Sequence, residues 1–180
     1  HGASAIVTAH TADDQAETVL LRLVRGSGPA GLGGMRAAGC VAKLGLDIPH
    51  ADVALLRPFL DVTRQEIENY LDTLGQTWRE DTTNAATAFL RNRVRHELLP
   101  LLTQRFNPSA ARTLCRMAEI FEAEDAWVAQ AAAVALDGCL DRQGRLQRRA
   151  LAALHPALER RVIRQWLMTS HVTADALDFD

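Results

Sequence analysis

His10-Thr11-Ala12-Asp13-Asp14-Gln15-Ala16-Glu17-Thr18 gathers one histidine and three carboxylates into nine residues. Side chains of these types can move protons or hold a cation, provided the backbone brings them to one place. The elements around them predict that it does. Ser4 to Ala9 is a run of β-branched and small residues that fits a buried strand of the parallel kind. Thr11 then stands as an N-cap with Asp14 at the capping-box position, and Val19, Leu20, Leu23 and Val24 supply a helical apolar stripe, so a helix is predicted from Ala12 to about Arg25. On it, Asp13 and Asp14 both lie one turn from Glu17. A helix N-terminus tolerates such crowding, since it favours each anion by about 0.3–1 kcal/mol. The acids can therefore be caps alone or part of a ligand site. His10 weighs toward a site, because it falls at the carboxyl end of a strand, where ligands of open α/β sheets bind.

Arg25-Gly26-Ser27-Gly28-Pro29-Ala30-Gly31-Leu32-Gly33-Gly34 comes directly after, with five glycines in ten residues. Such a loop ends the helix, and its N–H groups can cradle a phosphate. It can equally be a surface connection, since it matches neither the P-loop nor the dinucleotide pattern.

The arginines set a second theme. Of the 20 basic residues only Lys43 is a lysine. Arginine's planar fork suits phosphate, although a GC-rich genome would produce the same skew. The net charge of −2 hides two basic windows, Arg91 to Arg116 and Asp141 to Arg164, each with a net charge of +5. Both fit the footprint of an RNA backbone, or else solvated helix faces. In the first window Leu90, Val94, Leu98 and Leu101 form an apolar stripe flanked by Arg91 and Arg95. Arg93 sits about 200° round the helix from Arg91, so the three cannot all face one ligand.

The rest of the chain reads as punctuation between helices. Leu55 and Leu56 end a second strand, Thr63 to Glu66 forms a capping box, and the stripe Ile67, Tyr70, Leu71, Leu74 stops at Gly75. Trp78 suits a short extended segment, and Asp81 to Asn84 a turn-rich link. A helix is predicted from Phe89 to about Leu99, interrupted at Pro100. Asn107-Pro108 opens a long helix with Leu114, Met117, Phe121 and Val128 on one side, closed by Asp137-Gly138. Gln143-Gly144 reads as a turn. A last helix from Pro156 buries Val162, Ile163, Trp166 and Leu167. The predicted boundary lies between Asn84 and Pro108, separating an α/β unit from a helical one. No run approaches the length of a membrane span, and Cys40, Cys115 and Cys139 suggest neither zinc site nor disulfide framework, which makes a reduced cytoplasm the simplest home.

Four ordered stretches carry a resemblance. His10-x-x-Asp-Asp-Gln-Ala-Glu-Thr, Arg25-Gly-Ser-Gly-Pro-x-Gly-Leu, Arg57-Pro-Phe-Leu leading to Arg64-x-Glu-Ile, and Asp81-Thr-Thr-Asn followed by Phe89-Leu-Arg-Asn-Arg-Val-Arg-His with Leu98-Leu-Pro resemble the tRNA(Ile)-lysidine synthase family of N-type ATP pyrophosphatases. The family's pyrophosphate loop, Ser-Gly-Gly-x-Asp-Ser, has no match here and no initiating methionine is present. The expectation is an internal piece of a longer enzyme, inactive alone. Thr11 stands where many relatives carry a second histidine.

The resemblance implies part of a parallel-sheet, HUP-like (adenine nucleotide α-hydrolase-like) domain followed by an all-helical domain. Residues 1–90 would be the C-terminal part of the catalytic domain, 91–107 a linker helix region, and 108–180 an incomplete helical domain binding tRNA. It implies ATP and Mg2+ as cofactors. The reaction would adenylate the wobble cytidine of tRNA(Ile) with a CAU anticodon, after which L-lysine displaces AMP. His10, Asp14, Glu17 and Arg91 would be catalytic, with Asp14 also the metal ligand. Arg25, Gly26, Ser27 and Gly28 would bind the nucleotide, and Arg93, Arg95, Arg105, Arg148 and Arg149 the tRNA. Homodimerisation stays open. A tRNA thiolase of the same superfamily is the rival enzyme, although the two-thiocytidine branch uses C-x-x-C pairs that this chain lacks. A non-catalytic RNA-binding module is the rival from another class.

Overall fold

The computed structural model describes residues 3–40, 53–79 and 90–169. The predicted Asp81–Asn84 link and the Phe89 helix start lie outside them. The chain divides into two compact units, residues 1–122 and 123–180, with the division inside one helix.

The first unit is built on a three-stranded sheet in the order β1-β3-β2, with β1 at Ala5–Val7, β2 at Ala38–Cys40 and β3 at Ala54–Leu56. β1 runs parallel to β3 with Ile6 opposite Leu55. β2 is antiparallel to β3, so the sheet is mixed where the sequence suggested parallel strands only. Gly39 in a three-residue strand gives β2 no hydrophobic period to read. Nor is β1 buried: it is an edge strand in which Ile6 is 44% and Val7 64% exposed.

Helix α1, Ala12–Val24, comes after β1 and buries Ala16, Val19 and Leu20, and Leu55 is the buried residue of β3. Its Thr11 capping box is complete. The glycine-rich stretch then forms a one-turn helix, α2, at Pro29–Leu32. The end of α2 and the residues beyond it are held by hydrogen bonds from α1. Gln15 donates its amide to Met35 O at 3.0 Å and accepts from Met35 N at 2.8 Å, while Arg22 donates to the carbonyls of Gly31 and Gly34, each at 2.7 Å. Gly34 has φ +65°, and a Cβ there would lie 2.7 Å from the Gln15 amide. After β3, the Thr63 capping box opens α3, Arg64–Thr73. Trp78 belongs to no strand.

The helix that begins with α4, Leu90–Arg93, does not stop before Pro100. It continues through a π-helical turn, Val94–Leu98, into α5, Leu99–Arg105. In a regular helix the Pro100 ring would collide with the carbonyl four residues back. The π turn, in which Leu99 N–H reaches Val94 O, widens the helix where that collision would fall.

The long helix α6, Ala110–Cys139, is preceded by Asn107, whose Oδ1 accepts from Ser109 N–H at 2.9 Å. It runs through Gly138 rather than closing there. Its buried positions in the first unit are Ala110 and Ala118, with Met117 41% exposed, so small residues rather than the larger stripe make the tightest contacts. The second unit, with α7 at Arg148–Leu151 and α8 at Pro156–Thr169, packs Ala132, Leu136, Cys139 and Val162 as its core. Val162 is the fully buried member of α8, and Trp166 packs at the core's edge with its indole N–H on Gly144 O. Residues 90–169 are helical apart from turns and an isolated antiparallel bridge between Leu140 and Leu146.

Candidate active site

The site grows from the first two turns of α1. Because Asp14 is the capping-box acid, its Oδ2 accepts from both the backbone N–H and the hydroxyl of Thr11, each at 2.9 Å. That fixes Asp14 with Oδ1 turned away from the cap. Glu17, one turn on, lies beneath the π turn with its side chain only 1% exposed. A carboxylate so enclosed needs paired charge.

Two arginines supply it. Arg91 donates from Nε to Glu17 Oε2 at 3.1 Å and from Nη2 to Asp14 Oδ1 at 3.0 Å. Arg95 donates from Nε to Glu17 Oε1 at 2.5 Å and from Nη2 to Asp14 Oδ1 at 3.2 Å. Each guanidinium spans both carboxylates, and the four side chains form a closed ring with no net charge. Burial alone would push the Asp14 carboxyl up. The Thr11 hydrogen bonds and the charges of Arg91 and Arg95 outweigh it and hold the pKa below the ordinary value.

The remaining acid of the cluster does something else. Asp13 Oδ2 accepts from the Arg64 N–H at 2.7 Å, at the first residue of α3. Together with Ala12 N–H on Val62 O, this ties α3 to the start of α1. Cys115 in α6 adds a third tie, its thiol donating to Ala12 O at 3.2 Å. Burial first, and then the nearby Asp13 and Glu119 charges, push this thiol up to about 11. None of these ties has a signature in local sequence, because each joins residues at least fifty positions apart.

A cleft of about 510 Å³ opens beside the ring, lined by Asp13, Glu17, Arg64 and Arg95 together with apolar Leu99 and Pro108. Carboxylate, guanidinium and hydrocarbon thus share one wall.

The other candidates lie outside the ring. His10 Nδ1 bonds to the Thr8 hydroxyl at 2.9 Å at the end of β1. Arg25, Gly26, Ser27 and Gly28 stand past the C-terminal end of α1, about 16 Å along the axis from Asp14 at 1.5 Å per residue. Arg93 faces away from the ring, toward Glu97 at 3.6 Å. Arg105, Arg148 and Arg149 are exposed. Arg95, whose place in a basic window alone suggests an RNA contact, is spent on the two carboxylates.

The magnesium expectation meets this geometry directly. Both oxygens of Asp14 already accept from protein donors, and no group of three or more His, Cys, Asp or Glu side chains capable of holding a metal occurs among the described residues. In this arrangement Asp14 does not fit a metal ligand unless an arginine leaves.

The class of protein to which this α/β unit and its acid-and-arginine ring belong comes from sequence comparison. The PP-loop domain matches residues 1–102, and the chain belongs to that family, within the N-type ATP pyrophosphatases. Among curated proteins it is similar to tRNA(Ile)-lysidine synthases. That of Solibacter usitatus is 37% identical over 97% of this chain and 38% of its own length. That of Salinispora tropica is 41% identical over 92% of this chain and 47% of its own length. That of Geobacter sulfurreducens is 48% identical over 69% of this chain and 24% of its own length. The chain thus spans less than half the length of these three relatives.

Proposed function

We propose that the full-length protein uses ATP to adenylate the C2 carbonyl oxygen of the wobble cytidine in CAU-anticodon tRNA(Ile), and that free L-lysine then displaces AMP to give lysidine. The observation that carries this reading is the similarity to lysidine synthases across nearly the whole chain. In this reading, Arg91 is the cation that meets negative charge on the adenylate. It is the more exposed guanidinium of the ring, at 44% against 19% for Arg95. A fixed guanidinium at the place where charge develops stabilises the transition state without reorganising water.

Asp14 and Glu17 keep the site neutral and orient the arginines, and His10 at the end of β1 serves the nucleotide or the activated base. The Arg25–Gly28 segment is the nucleotide contact remote from the ring. No step is assigned to magnesium. Arg93, Arg105, Arg148 and Arg149 face the tRNA backbone, residues 108–180 belong to the substrate-binding domain, and the reaction takes place in the cytoplasm. Among the described residues no helix is long and apolar enough to cross a membrane.

The test is AMP release by the full-length protein. It is expected only when ATP, lysine and the CAU-anticodon tRNA are all present. Lysine-independent AMP release with sulfur incorporation would instead identify a thiolase.

A further inference from the structure

The ring contains one guanidinium more than the proposed chemistry uses. We propose that Arg95 is a positioning residue that holds Glu17 and Asp14 so that Arg91 is presented to an anionic ligand, an inference that rests on the reading of Arg91 above. Four carboxylate oxygens are involved. Asp14 Oδ2 is taken by Thr11, Asp14 Oδ1 is shared by the two arginines, Glu17 Oε1 is taken by Arg95 and Glu17 Oε2 by Arg91. Arg95 is the enclosed partner and Arg91 the open one.

With both arginines in place the two carboxylates are neutralised, and Arg91 can direct the rest of its guanidinium outward. Without Arg95 the ring carries a net negative charge, and Glu17 Oε1, only 1% exposed with the rest of its side chain, loses its donor. Arg91, already bonded to both carboxylates, is then drawn further toward the vacated Glu17 Oε1, and an incoming phosphate meets a weaker positive field.

The backbone is built for this division of labour. Arg91 lies in regular α4, whereas Arg95 lies in the π turn Val94–Leu98, and Arg93 between them points to Glu97. A π turn adds a residue to one helical turn and is frequent where a side chain must be aimed at a functional group. Here the side chain aimed is the one buried against Glu17.

The experiment uses full-length protein and compares Arg95→Gln, Arg95→Lys and the charge-balanced pair Arg95→Gln/Glu17→Gln. ATP affinity is measured by calorimetry and tRNA affinity as a function of salt. Arg95→Gln is expected to weaken ATP binding about tenfold through the unbalanced carboxylate, and the double variant to recover most of that loss because the ring is again neutral. Arg95→Lys keeps the charge but cannot span both carboxylates, so it should fall between wild type and Arg95→Gln, which keeps the test valid if the glutamine variant does not fold. The slope of log affinity for tRNA against log salt should be unchanged in all three.

If Arg95 is instead a phosphate contact, that slope falls by about 0.7–0.9 while ATP affinity holds, and the double variant recovers nothing. That result overturns the proposal. Lysidine formation by the wild type is assayed in parallel. Its absence counts against the proposed function, whereas a wild-type enzyme that makes lysidine with variants behaving as RNA contacts counts against the role of Arg95.

Discussion

Asp14 and Glu17 look alike in the sequence, two acids one turn apart, yet the structure gives them different physics. Asp14 is a helix cap whose second oxygen is lent to the arginines, so its carboxyl titrates below the ordinary range. A group with a depressed folded-state pKa stabilises the fold fully above its unfolded value of about 3.9, and that stabilisation is lost as pH falls toward the folded pKa. Asp14→Asn should therefore lower stability at pH 7 and flatten the decline below pH ~4, read from urea midpoints across pH; an unchanged acid limb would show that Asp14 is not held ionised by Thr11 and the arginines. Glu17 is the buried counter-charge. Glu17→Ala should cost about 3–5 kcal/mol by leaving Arg95 and Arg91 to share Asp14 alone, with one positive charge uncompensated, while Arg91→Ala, at a more exposed position, should cost under about 1.5 kcal/mol. Thermal unfolding of the two variants ranks them, and the reverse order would mean that the ring is not the buried element described.

At the scale of elements, the sequence made legible whatever depends on neighbours within a turn or two. Both capping boxes, at Thr11 and Thr63, stand as the S/T-x-x-D/E pattern indicates, since donor and acceptor lie three residues apart. The passage of the helix through Pro100 was not legible, because a proline in the sequence marks a break and the π turn that accommodates its ring has no local signature. The glycine-rich stretch was legible only in part. Its glycines promised a loop, but the order after α2 comes from Arg22 and Gln15 on the helix before it. Two glycines separate these effects. Gly26 has φ +78° with open space around it, whereas Gly34 has φ +65° with the Gln15 amide against it. Gly26→Ala should cost about 1–2 kcal/mol for the left-handed backbone alone, and Gly34→Ala more, by displacing Gln15 from Met35. Equal losses on thermal unfolding would show that the Gln15 clasp contributes nothing.

For the whole molecule, the acids and arginines that the sequence singled out separately belong to one object, the Asp14–Glu17–Arg91–Arg95 ring. The acids were visible through their strand-to-helix setting and the arginines through their i, i+4 spacing. Their union was hidden, because more than seventy residues separate Glu17 from Arg91. It required α4 and the π turn to pack on α1 within the first compact unit. In the proposed reaction that ring is the centre of lysine transfer to tRNA. The direct measurement is transfer of labelled L-lysine to tRNA(Ile) by full-length protein with ATP, comparing wild type with Arg91→Ala. Wild type should label the CAU-anticodon tRNA and no other, and Arg91→Ala, still folded, should lose about a hundredfold or more in rate. An unlabelled CAU tRNA with wild type, or full labelling by Arg91→Ala, would contradict it.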